Sequence, residues 1–239
     1  MKKVRYLAMA ILILGMTVPV SGQFRKTVYG NKKVTRDERL IDGFTGIKVG
    51  SGIDVILRQG NNEKVVVEAD DNLHEHIITE VRDNILHVYT NVSIRSAETK
   101  RVFVTMNDIR LITTASAGNI TGESPVKSDR LRLSASSAGD IRLEVYAREI
   151  EVDISSSGDI TLSGEADALS AKLSSAGDLN AYDLITRQAE VSVSSAGDAD
   201  ITVTERLRAK ASSAGDISYK GDPEYVDAHS SSAGSIRRR

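Results

Sequence analysis

Ser136-Ser137-Ala138-Gly139-Asp140-Ile141 is one copy of a phrase that the chain writes seven times. The others stand at 116–120 (Ser-Ala-Gly-Asn-Ile), 155–160 (with Ser157 in the alanine place), 174–179, 194–199, 212–217 and 231–236. Their glycines, Gly118, Gly139, Gly158, Gly177, Gly197, Gly215 and Gly234, lie 18 to 21 residues apart. A repeat of about 20 residues marks a solenoid, whose rungs bury little alone and make a continuous core when stacked.

Counting from each glycine shows what kind of rung this is. Apolar or small residues recur at −8, −6 and −4 (Leu131, Leu133, Ala135; Ile150, Val152, Ile154; Leu169, Ala171, Leu173) and again at +2 and +4 (Ile141, Leu143; Ile160, Leu162). Alternation with period two on both sides of a corner predicts two short strands per rung that send alternate side chains inward. The rung is too short for a strand–helix unit. The expected fold is all-β: a right-handed parallel β-helix, or β-solenoid, with rungs of about 19–20 residues and a less regular β N-terminal part. Stacked rungs rise about 4.8 Å each.

Outside the repeats, residues 1–22 read as a signal peptide. Lys2, Lys3 and Arg5 precede an uncharged apolar run, and Val20-Ser21-Gly22 offers small residues for cleavage. Residues 23–39 read as a linker or frayed first strand, and 40–239 as a single solenoid domain with an irregular part at 40–108 and regular rungs over 109–236. Asp70 to Glu80 admits a short helical turn. With no cysteine, disulfides, thiol catalysis and Cys-bound zinc are excluded. A net charge of −2, 4% aromatic residues and no Trp argue against a nucleic-acid surface.

The phrase itself offers three columns. Position −2 is Ser in every rung (Ser116, Ser137, Ser156, Ser175, Ser195, Ser213, Ser232) and has inward parity, so it is expected to form a structural hydroxyl ladder. The glycines are expected at the corner. Position +1 is acidic in five rungs (Asp140, Asp159, Asp178, Asp198, Asp216), flanked by Asn119 and Ser235. Carboxylates stacked at rung spacing repel one another. They either bond to corner N–H and hydroxyl groups or hold a cation such as Ca²⁺. The corner role is the expectation, with no cofactor and no metal. His74-Glu75-His76 beside Asp70 and Asp71 lacks a clear third zinc ligand and reads as a solvated loop. Seven equivalent serines without a positioned base are not nucleophiles.

The phrase occurs together with Phe44-Thr-Gly-Ile-Lys-Val-Gly-Ser-Gly-Ile-Asp-Val55 and with Asn84-Ile-Leu-His-Val88. This combination, over about Leu40 to Ile236, resembles the family described as "putative auto-transporter adhesin, head GIN domain", found in exported proteins of Bacteroidetes-type bacteria. The resemblance implies a β-helical exported domain and carries no catalytic motif. The expected function is that of a non-enzymatic, adhesin-like or scaffold module at the periplasm or cell surface. It would bind protein, glycan or envelope material through its repetitive wall. A carbohydrate-active lyase or hydrolase is the alternative from another class, and a self-assembling envelope protein a third. Nucleic acid is not an expected partner, no transmembrane segment is expected after signal removal, and a homo-oligomer is compatible with the reading.

Overall fold

A computed structural model describes residues 26–239; the signal-peptide reading lies outside them. The first strands are β1 (Thr27–Tyr29), β2 (Val34–Arg39), β3 (Gly46–Val49), β4 (Asp54–Gln59) and β5 (Lys64–Asp70). A 3-10 turn at Asp71–Leu73 leads to β6 (Ile77–Arg82), β7 (Ile85–Thr90), β8 (Ser93–Ser96) and β9 (Lys100–Met106). The regular rungs hold β10 (Leu111–Thr114), β11 (Asn119–Gly122), β12 (Val126–Ser136), β13 (Asp140–Ser155), β14 (Asp159–Leu173), β15 (Asp178–Val193) and β16 (Asp198–Ala211). They end with β17 (Asp216–Lys220), β18 (Tyr225–Ser230) and β19 (Ser235–Arg238).

The expected β-solenoid is what forms, with about seven turns of parallel coil. Equivalent residues of successive repeats pair in register: Asp140 with Asp159, Asp159 with Asp178, Leu131 with Ile150, Val152 with Ala171. The inward columns at −8, −6 and −4 are buried throughout the central rungs, and Leu131, Leu133 and Ala135 are fully enclosed. Each such side chain removes its apolar area from water at about 25 cal/mol per Å², and the columns join into one core.

The irregular part does more than continue the stack. β3 and β4 lie directly beneath β10 and β11, with Ile47 opposite Ile112 and Val55 opposite Ile120. Beneath them in turn lie β7 and β9, reached only after the chain has left the stack and come back. Chain order and stacking order therefore differ at this end. Antiparallel pairing of β5 between β2 and β9, and of β6 with β7, closes the end of the core. The stretch read as a linker or frayed strand thus contains β2, which is paired along its whole length with β5.

The corner corrects one expectation. Serine at −2 and the residue after it both adopt left-handed backbone in every rung, for example Ser137 at φ 51° and Ala138 at φ 57°. The glycine N–H then donates to the carbonyl at −3, as Gly139 does to Ser136 at 3.1 Å. Positive φ at both central residues of such a turn is the type I′ geometry. Two left-handed residues in succession break the period-two count. Ser116, Ser137, Ser156, Ser175, Ser195, Ser213 and Ser232 therefore face solvent instead of the core. They still knit the corner, through backbone: Ala138 N–H donates to Ser156 C=O at 3.2 Å, and Ser157 N–H to Ser175 C=O at 3.0 Å. The inward place is taken by glycine, buried from Gly118 to Gly215.

Candidate binding face

Two outward surfaces could carry function. The first begins at the corner, where the +1 residues form a row. Asp140, Asp159, Asp178, Asp198 and Asp216 are paired rung to rung. The row extends one rung further than the repeats suggest, because Gly50-Ser51-Gly52-Ile53-Asp54 makes the same corner: Ser51 and Gly52 are left-handed, and Asp54 pairs with Asn119. Ile53 occupies the glycine place there, which hides the likeness in the sequence.

Asn119 shows how a rung can relieve the row, since its Nδ2 donates to Asp54 Oδ1 at 2.8 Å. Asp159 has no such relief. Partial burial, then the charges of Asp140 and Asp178, raise its carboxyl above the usual range. Burial, followed by Asp178 and Asp216, does the same to Asp198. The carboxylates run as a line and do not converge, and no group of three or more metal-ligating side chains occurs among the described residues. His74 and His76 do not face a common point either: His74 Nε2 lies 2.9 Å from Thr35 Oγ1, and His76 Nδ1 lies 3.2 Å from Asn91 Oδ1.

A raised carboxyl pKa means that ionisation works against the fold. The favourable contribution is complete below the ordinary value of 3.8 and is lost as pH rises through the raised value. Asp159→Asn is therefore expected to melt about 1–3 °C above the parent at pH 7 in low salt, a modest gain because the row is partly exposed. Melting from pH 7 to pH 4 should show that difference shrinking with acidification and with added salt. An equal or larger difference at pH 4 would mean that charge repulsion is not its source.

The second surface is the outer face of the strands that enter each corner. Its rungs alternate in character: Arg130 and Arg132, then Glu149 and Glu151, then Ala168 and Ser170, then Gln188 and Glu190, then Arg206 and Arg208. Arg130 and Arg132 are held by the glutamates of the next rung, each at 2.6 Å, and the Glu151 carboxylate raises the Arg132 pKa further. Ala168 and Ser170 are short where every neighbour is long. They form the floor of a depression of about 640 Å³ that opens outward and is walled by those arginines and glutamates.

At the far wall Arg206 lies over the Tyr225 ring, 5.1 Å from its centroid. Arg206, Arg208 and Lys210 form no ion pair among the described residues, unlike Arg130 and Arg132. Period two sends all three to the same side of the strand, at steps of about 6.7 Å. Sequence reading missed this surface because its columns differ from rung to rung, while the conspicuous phrase lies at the corner.

The model of the family described as "Putative auto-transporter adhesin, head GIN domain" matches residues 43–223. The chain belongs to this family. Similar solved structures share its architecture. A "putative adhesin" from Bacteroides fragilis has a TM-score of 0.84 at 21% identity, covering 89% of this chain and 100% of that one. A "putative adhesin" from Parabacteroides distasonis has 0.74 at 23%, covering 90% and 100%. From the same organism, a "Putative lipid binding protein" has 0.72 at 24%, covering 90% and 100%. At these identities the likeness shows the fold. No curated protein matches the chain. The family match contains both the acidic row and the depression, while β18 and β19 lie beyond it.

Proposed function

We propose that this member of the adhesin family is an exported, non-catalytic binding module whose working surface is the strand face around Ala168 and Ser170. Its ligand is an extended acidic polymer of the cell envelope. The observation that carries the reading is the contrast between the two ends of the depression. Arg130 and Arg132 are neutralised by Glu149 and Glu151, whereas Arg206 and Arg208, which line the far side together with Glu190, form no ion pair among the described residues, and Lys210 follows them on the same side of the strand. A row of cations on one rigid strand matches a chain with repeated anionic groups. Single exposed charge contacts are each worth about 0–1 kcal/mol, so several must act together, which a regular wall permits. The named side chains comprise no acid–base pair enclosed with a bond to be broken, and the glutamates at the near wall are engaged by arginine.

Titration with polygalacturonate or dextran sulfate, against neutral dextran, tests the proposal. The acidic polymers are expected to bind with an affinity that falls steeply with salt. The triple replacement Arg206→Ala, Arg208→Ala, Lys210→Ala should weaken binding at least about tenfold. Filling the floor with the neutral pair Ala168→Gln and Ser170→Gln should weaken it similarly without lowering the melting temperature. Equal binding of neutral and acidic dextrans, or a triple variant that binds as well as the parent, would sink the reading. Binding only to vesicles containing phosphatidylglycerol would assign the same cations to a membrane surface.

A further inference from the structure

The two ends of the core are finished differently. At one end Val65, Val67, Leu73 and Ile77 are completely or almost completely buried beneath antiparallel strands. At the other, β18 pairs with β16 and β19 with β17, and neither has a strand on its outer side among the described residues. The inward column that is fully enclosed at Leu207 and Ala209 emerges at Val226, 43% exposed, and at the exposed Ala228. A regular strand with free N–H and C=O groups and bare apolar positions is a template for another strand.

We infer that this end pairs with the same end of a second copy, β18 running antiparallel to β18 about a two-fold axis through Ala228. The sequence of β18 selects that partner and that register. For the inward side chains of both copies to stay inward, the axis must pass through a residue and not between two. Centring on Asp227 sets Asp227 against Asp227, a like-charge contact; centring on His229 sets two histidines together; and centring on Val226 or nearer either end of β18 pairs at most three residues of each strand. Centring on Ala228 sets Asp227 of each copy opposite His229 of the other, Val226 opposite Ser230, and alanine opposite alanine. Within one copy Asp227 Oδ1 already lies 2.8 Å from His229 Nε2; directly opposed residues of an antiparallel pair approach to about 4.5–5.5 Å, so each Asp227 then has one histidine in its own strand and a second across the axis. The pairing is isologous and closed: each copy contributes its bare end, and the antiparallel strands at the far end stop further growth. The arginines of β19 do not oppose it strongly, because Arg237 is already held by Asp216 and Arg238 by Asp222.

The chain has no cysteine, which makes a direct test possible. Sedimentation equilibrium of the purified protein is expected to show a monomer–dimer equilibrium without higher species. Ala228→Cys, placed on the axis, should oxidise to a covalent dimer at least about tenfold faster than Tyr225→Cys, which lies away from it. Val226→Lys, tolerated in the monomer where the residue is already half in water, should shift the equilibrium to monomer by about a hundredfold. Asp227→Lys and His229→Glu should each weaken the dimer, and the double variant should restore it, since each new lysine then faces a new glutamate across the axis. A monomer at millimolar concentration, similar crosslinking rates at 225 and 228, or failure of the double variant to restore would each overturn the inference. So would capture of a different protein's strand by a protein that remains monomeric on its own.

Discussion

Gly158→Ala is expected to cost at least about 3 kcal/mol of stability, more than ordinary overpacking of a core position. A Cβ built on Gly158 lies 2.6 Å from both the carbonyl carbon and the oxygen of Ala135, and 2.9 Å from the Ser136 nitrogen. All three are backbone atoms of the neighbouring rung, so no side chain can rotate aside. Making room would stretch the ladder at this corner, where Asp159 N–H donates to Gly139 C=O and Ser157 N–H to Ser175 C=O, each at 3.0 Å. The requirement is one of approach, since this glycine is absent from the residues with positive φ; its two predecessors, Ser156 at φ 51° and Ser157 at φ 58°, carry the left-handed backbone. Ser156→Gly should consequently act in the opposite sense and stabilise by about 1 kcal/mol, by removing the left-handed penalty of a residue with a Cβ. Gly234→Ala meets the equivalent atoms of Ala211 at 2.6 and 2.7 Å, but in the last rung, which can move outward. It should cost less than half as much. Urea unfolding of the three variants checks the order. Parity of Gly158→Ala with the parent would show that the corner has slack the geometry denies.

This triplet also shows how far reading by periodicity reaches. The alternation of Leu131, Leu133 and Ala135, or of Ile150, Val152 and Ile154, reports burial directly, because only a strand places every second residue on one face. A spacing close to 19 then dictates register, and both are found in the fold. Parity extended unbroken through the corner fails there, however. Two left-handed residues turn the chain without advancing it as a strand would, so Ser137 and its equivalents point outward and glycine takes the inward place. Stacking order at the capped end was not legible, because the neighbours of β3 are β7 and β10, chosen by tertiary closure and not by adjacency in the chain. The depression over Ala168 and Ser170 depends on side-chain length compared across five rungs. The repeat made that comparison available, but the eye follows what recurs, and the site consists of what does not.

Asp70 is the other position where a large effect is expected, and its importance appears only once the cap is built. In the sequence it stands next to Asp71 and near two histidines, as an accessory to a weak metal motif. In the fold it ends β5 and is completely buried. Its Oδ2 accepts the Lys32 N–H at 2.8 Å, and its Oδ1 accepts those of Glu98 at 3.0 Å and Thr99 at 3.4 Å. One carboxylate thus ties the turn between β1 and β2, and the turn between β8 and β9, to the strand that closes the core. Gly30 is part of the arrangement, for a Cβ there would collide with the Asp70 carboxylate. Hydrogen bonds to a charged group contribute about 1.5–3 kcal/mol each, and their loss leaves buried N–H groups without an acceptor. Asp70→Ala should therefore destabilise the cap by about 4 kcal/mol. Asp70→Asn, which keeps one acceptor oxygen and turns an NH₂ toward the remaining donors, should cost about half that. Because solenoid rungs interact chiefly with their neighbours, the damage should stay local. Hydrogen exchange is expected to accelerate in β2, β5 and the residues around Lys32 and Glu98, while the amides of β13 to β15 keep their protection. Uniform acceleration along the stack would mean that the cap and the rungs unfold as one unit. A change below about 1 kcal/mol would mean that water replaces the carboxylate at all three donors.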